Sequence, residues 1–222
     1  GAFSSDQFNQ LKPFKSEPKA IEQLGGNAIL LAYNDSAKQY EDLAEKYQIT
    51  STGWAWNAKF ADLNNDTWQD LFIANGFLFK GKQESNFFYE NKNGKYFENK
   101  TDSMGFKNYL PSSSFTFADY DLDGDIDIIL APSFNSINLY ENQLNNSYSI
   151  AFSIDLEDDL TNLIGTKILI EYGDGKKQLK EICLSGGFKS FNNPSLYFGL
   201  GKKDEVNKVE IIWSNGSVTQ ID

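Results

Sequence analysis

The chain has 222 residues and a mass of 25.1 kDa, with 40% apolar and 23% charged residues, a composition that suits one large or two small globular domains. It has no His, a single Cys and only Lys among its 20 basic residues, which excludes His-based nucleophile systems, His-ligated zinc, guanidinium recognition of anions and intrachain disulfides. With 31 acidic residues the net charge is −11 and the pI about 4.5, a field that repels nucleic acid and attracts divalent cations.

No apolar run approaches the ~20 residues of a membrane-crossing helix, so no transmembrane segment is expected. The chain opens Gly-Ala with neither Met nor a leader, which reads as a processed product or a fragment. Residues 1–27 read as an N-terminal segment or the end of a preceding repeat. Residues 40–47 are the one stretch with the pattern of a helical turn. Trp54, Trp56, Ala58 and Phe60 then alternate with other residues at the period of a half-buried strand. Leu71-Phe72-Ile73-Ala74 is a short continuous apolar run, as expected of a strand buried on both faces. Asn93-Gly94, between apolar stretches at 87–91 and 96–99, is a tight hairpin signal.

This pattern then repeats. A shift of 57 residues lays Asp62, Asn64, Asp66 and Asp70 on Asp119, Asp121, Asp123 and Asp127, and places the 71–74 run on Ile128-Ile129-Leu130-Ala131. Tyr89-Glu90-Asn91 returns as Tyr140-Glu141-Asn142, where the repeat stops. Tandem units of several strands read as β-propeller blades over 28–148. Two blades and a fragment cannot close a ring, so further blades upstream, or a partner over the open edges, are expected. From 149 to 222 the texture changes to new strands at 168–172, 178–184, 195–198 and 208–213, separated by Gly and Asn turns. An acidic stretch at 155–159 marks the junction.

Each repeat carries a carboxylate loop. In Asp119-Tyr-Asp121-Leu-Asp123-Gly124-Asp125-Ile-Asp127 the acids stand at loop positions 1, 3, 5 and 9, with Gly at 6. Converging carboxylates repel one another and need a cation. A calcium ion takes six to eight hard oxygens, which side chains at 1, 3, 5 and 9 and the carbonyl of Asp125 supply. The loop begins like an EF-hand, yet position 12 is Leu130 and strands flank it, so the EF-hand reading fails. The first copy offers Asp62, Asn64, Asp66, Asp70 and the Trp68 carbonyl. There Thr67 replaces the Gly, and a β-branched residue is strained at positive φ. Two structural calcium sites are expected, the first the weaker.

These segments resemble FG-GAP/VCBS repeats, through Phe60-Ala61-Asp62 to Gly76 and Phe117-Ala118-Asp119 to Leu130. The tail resembles the ASPIC/UnbV domain in Ile164-Gly165-Thr166-Lys167, Gly186-Gly187-Phe188-Lys189-Ser190, Phe198-Gly199-Leu200-Gly201 and Ile212-Trp213-Ser214-Asn215-Gly216. Thr67 departs from the pattern, as does Ser214, which stands where the family usually has Pro. The resemblance implies an all-β chain: a partial propeller followed by a small β-sandwich-like domain over 149–222. It also implies a secreted or cell-surface protein, periplasmic or outer-membrane-associated in a bacterium. The expected role is a calcium-stabilised binding or scaffold module, not an enzyme, that recognises a protein or glycan, as part of a larger complex or alone. The alternative is a polysaccharide-processing accessory or hydrolase working through Asp, Glu and Tyr. Trp54, Trp56 and Trp213 are expected in the core, as is Cys183, between Ile182 and Leu184. Asn-X-Ser/Thr sequons stand at Asn34, Asn65, Asn99, Asn145 and Asn215.

Overall fold

A computed structural model describes residues 31–34, 36, 38–50, 52–76, 84–144, 146–154 and 163–221. The expected N-terminal segment, the acidic stretch 155–159 and Asn145 lie outside the described residues. The fold is all-β, and among the described residues no helix is long and apolar enough to cross a membrane.

β1 (Leu31–Asn34) and β2 (Gln39–Asp42) form an antiparallel hairpin. The stretch expected to turn helically instead starts in β2. Only its end turns, where the Tyr47 N–H donates to Leu43 O at 2.9 Å. β3 (Ala55–Ala61), β4 (Asp70–Asn75), β5 (Phe87–Asn91) and β6 (Phe97–Asn99) follow as a four-stranded antiparallel blade in sequential order. The Asn-Gly turn joins β5 to β6, with positive φ at both Asn93 and Gly94, as a type I′ turn requires. β7 (Ser112–Ala118), β8 (Asp127–Pro132) and β9 (Asn138–Tyr140) repeat the arrangement with only three strands.

β10 (Tyr148–Phe152) pairs with a strand 48 residues further on (Tyr148 to Leu196), β13 (Leu196–Gly201). Between them lie β11 (Lys167–Tyr172) and β12 (Lys176–Glu181), and after them come β14 (Val206–Ile212) and β15 (Val218–Ile221). The four make one sheet in the order β12-β11-β14-β15. Its inward residues Ile168, Ile170 and Val209 pack with Phe198, Leu200 and Phe152 of the β10-β13 pair, giving a small two-layer sandwich.

A second core lies between the blades. Phe72 and Phe88 of the first blade meet Phe115, Ile128 and Leu130 of the second, with the Phe72 and Phe115 rings edge to face at 4.9 Å. Leu71, Ile73, Tyr89 and Phe97, on the other face of the first blade, are covered by Ala44 and Ile49. β4 is therefore buried along its whole length. β8 is not, because Ile129 and Ala131 face outward and no sheet covers that face among the described residues. The sequence pattern of the two runs is nearly the same, and their surroundings set the difference.

Candidate metal centre

Both carboxylate loops leave one strand and enter the next at the same end of their blades. Their backbones match: positions 4 and 6 have positive φ in each, Asn65 (57°) and Thr67 (83°) in the first, Leu122 (64°) and Gly124 (95°) in the second. The side chain at position 1 bridges back over the turn. Asp62 accepts from the N–H groups of Asp66 (3.0 Å) and Thr67 (2.8 Å), and Asp119 from that of Gly124 (3.1 Å). The position-9 carboxylates hold the next strand. Asp70 accepts from the Leu63 and Asn91 N–H groups, and Asp127 from those of Tyr120 and Asn142, at 2.7–3.1 Å. One sequence pattern thus builds one loop twice.

The loops differ in what remains free for a cation. In the second, carboxylate oxygens of Asp119, Asp121 and Asp127 lie within 4.8 Å of one another, the one such group found among the described residues. Oδ1 of Asp119 is buried without a hydrogen-bond partner. Asp123 accepts from the Asp125 N–H at 3.1 Å. Asp125 was expected to offer only its carbonyl, but its side chain is itself buried, with an unpartnered Oδ1. Burial first, then the charges of Asp123, Asp127 and Asp121, push its pKa up to about 7. Asp125 follows Gly124, whose φ of 95° bends the chain there, so the strand alternation of the sequence gives no signal for where its carboxylate points.

In the first loop the oxygens are already engaged. Asp66 accepts from the Trp68 N–H (2.8 Å) and the Asn64 amide (3.2 Å), and both oxygens of Asp62 hold backbone amides. Burial, then the nearby Asp66 charge, raises Asp62 to about 6. Burial raises Asp70 to about 8 against its two backbone donors. Lys180, its own pKa lowered by burial, faces Asp62 closely enough to favour the carboxylate. The donor set of the second loop fits a hard divalent cation. That of the first fits one less well.

The C-terminal sandwich sits on both loops. The Gly201 N–H donates to Asn65 O at 2.8 Å, and a Cβ on Gly199 would collide with Asp62 Oδ2 and stand 2.7 Å from Asn65 Cα. Tyr197 Oη accepts from the Asp119 N–H, and Ser149 donates to Gly124 O at 2.7 Å. Beside the loops the 186–192 turn docks on β3 and β7. The Asn57 amide donates to Gly186 O and Ser190 Oγ, and Thr116 donates to Phe191 O at 2.8 Å. Trp56 stacks on Phe188 at 5.1 Å. A cleft of about 710 Å³ runs along this junction. Lys59 borders it and donates to Phe115 O and Asn192 Oδ1, and burial lowers its pKa to about 8.

Expectations about four single residues change. Trp54 is 49% exposed, since it precedes β3 and lies beyond the packed face. Trp56 and Trp213 are half-buried, the first in the interdomain contact and the second against the sandwich core. Cys183 is exposed and borders the cleft, because Ile182 takes the inward position and period-2 alternation sends its neighbour out. Of the sequons, Asn65 is buried.

Fold and loops together define an all-β repeat protein whose tandem blades turn on acidic loops, capped by a second β-domain. Residues 62–130 match the FG-GAP-like repeat family, and residues 158–222 match the family described as ASPIC and UnbV. The chain therefore carries FG-GAP-like repeats followed by a C-terminal ASPIC/UnbV domain. No curated protein matches it.

Proposed function

We propose that the chain is a calcium-stabilised binding or scaffold module of an extracellular or cell-surface protein, with no catalysis of its own. The observation that carries the metal reading is Asp119, whose buried, unpartnered Oδ1 lies in the group it forms with Asp121 and Asp127. Asp119, Asp121, Asp123 and Asp127 with the Asp125 carbonyl would hold one ion. Asp62, Asn64, Asp66 and Asp70 with the Trp68 carbonyl would hold a second, weaker one. A bound ion supplies positive charge that cancels carboxylate repulsion and ties successive strands together. Flexible loops that lack a bidentate Glu belong with weak calcium sites, Kd about 10⁻⁴–10⁻³ M, which extracellular calcium fills.

The binding role is supported by rigid aromatic side chains left at the surface, among them Trp54, Tyr120, Phe134 and Phe191, the residue class that anchors interfaces. The partner is a protein or a glycan. Against catalysis stands the placement of the carboxylates whose pKa is raised: Asp62, Asp66, Asp70, Asp121 and Asp125 all belong to the two loops. Melting the chain with excess chelator and again with calcium tests the reading. At free calcium ~100 times Kd a site adds about 2.7 kcal/mol, or about 5–10 °C for a chain of this size. Equal melting temperatures, or an Asp123→Ala variant as responsive as the parent, would contradict it.

A further inference from the structure

We propose that the open edge of β9 docks an extended segment of a partner polypeptide, which adds as the fourth strand of the second blade and seats a large apolar side chain between the blades. This goes beyond the binding-module reading by naming the chemistry of the partner.

The repeat itself supplies the template. In the first blade β6 pairs with Tyr89, Glu90 and Asn91, setting Phe97 opposite Asn91. The second blade carries the same Tyr140-Glu141-Asn142, held in the same way. The Asn91 N–H donates to Asp70 and its amide to Gln69 O, while the Asn142 N–H donates to Asp127 and its amide to Ile126 O. A strand-ready edge is therefore built in both blades. Among the described residues only the first is filled. After Asn142 the chain leaves for β10, and among the described residues β9 pairs with β8 alone.

Side chains give the occupant its shape. Phe97 packs on the face formed by Leu71, Ile73 and Tyr89. The corresponding face of the second blade is Ile128, Leu130 and Tyr140, and it looks toward the first blade. Where a counterpart of Phe97 would enter, there is a groove of about 800 Å³. Residues 139–144 line it continuously on one side, and Phe88, Phe106 and Met104 stand opposite. Its apolar floor and strand edge are the two elements that added-strand recognition uses: main-chain pairing for affinity and a pocket for selectivity. β9 contains neither Lys nor Pro, the residues that commonly block such an edge. A second copy of the chain is a poorer occupant. Its own β6 is already paired, and β9 against β9 brings Tyr140, whose ring is already packed in the core of its own blades.

The probe is the peptide Lys-Tyr-Phe-Glu-Asn-Lys-Thr, residues 95–101 of the chain itself, titrated into the whole isotope-labelled protein and followed by NMR. Amide shifts should concentrate at residues 138–144, and hydrogen exchange there should slow. Replacing the peptide Phe by Ala should weaken binding at least tenfold. So should Met104→Lys at the exposed rim of the groove, at an unchanged melting temperature. Four results would overturn the proposal: no shifts at millimolar peptide, shifts elsewhere, equal binding of the Ala peptide, or amides on the open edge of β9, those turned away from β8, already protected without peptide. Self-association in sedimentation that protects those amides would assign the edge to a second copy instead. A chain that melts higher in calcium but ignores the peptide keeps the module reading and loses this one, and the reverse pattern does the opposite.

Discussion

Thr67 shows how a single residue distinguishes two copies of one loop. It holds φ at 83°, where Gly124 of the second loop sits at 95°. Left-handed backbone costs a β-branched residue about 1–2 kcal/mol, and Gly returns about 0.5–1 of that through the entropy of the unfolded chain. Thr67→Gly should therefore stabilise the protein by about 0.5–1 kcal/mol, read as a rise of about 1–4 °C in melting temperature. A fall would mean that the Thr67 side chain contributes more than its backbone strain costs. The carboxylates make a second prediction. Burial raises Asp62, Asp70 and Asp125 to about 6, 8 and 7 in the folded chain, against 3.8 for an unperturbed aspartate. The folded chain then holds more protons than the unfolded one, so stability falls as pH rises from about 4 to 8. In calcium-free buffer the melting temperature should be higher at pH 5 than at pH 8. Saturating calcium should flatten or invert that slope, because it replaces the protons. Melting curves at the two pH values, with and without the ion, decide it.

At the scale of elements, β13 joins the two halves of the molecule. Gly199 lies so close to Asp62 and Asn65 that only a residue without Cβ fits. Gly199→Ala should force the strand off the first loop at a cost of about 1–3 kcal/mol, lowering the melting temperature by about 2–12 °C. An unchanged melting temperature would show that this junction adds no stability. The tandem loops, the Asn93-Gly94 hairpin and the change of texture near 149 could be read from the sequence, because each is a local pattern with a local cause. The pairing of β10 with β13 could not, since no spacing rule links strands 48 residues apart (Tyr148 to Leu196). Gly199 and Gly201 were visible in the sequence, but the close approach that requires the first belongs to tertiary structure. The same holds for Cys183 and for the Asp125 carboxylate. Cys183 lies past the end of β12, where the sequence predicts the strand to continue to 184, and Asp125 lies in a turn, so the packing of neighbouring elements settles which way each points.

For the whole molecule, three apolar cores are joined by polar contacts around two acidic loops. The blades share one core, the sandwich has its own, and the loops lie where β13 meets the blades, with Gly201 bonded to Asn65 and Tyr197 to Asp119. Charge at those loops bears on how the halves hold together as well as on each blade turn. With a net charge of −11, a cation at that position also relieves repulsion across the molecule. The reading of the chain as a calcium-stabilised module therefore depends most on whether the ion binds there at all. Calorimetric titration of calcium into the intact chain measures this, beside Asp121→Ala, which removes an exposed carboxylate of the Asp119 group. The account predicts two binding events, the tighter one absent from the variant and the weaker one retained. No calcium heat at millimolar concentration, or an Asp121→Ala chain that titrates like its parent, would contradict it.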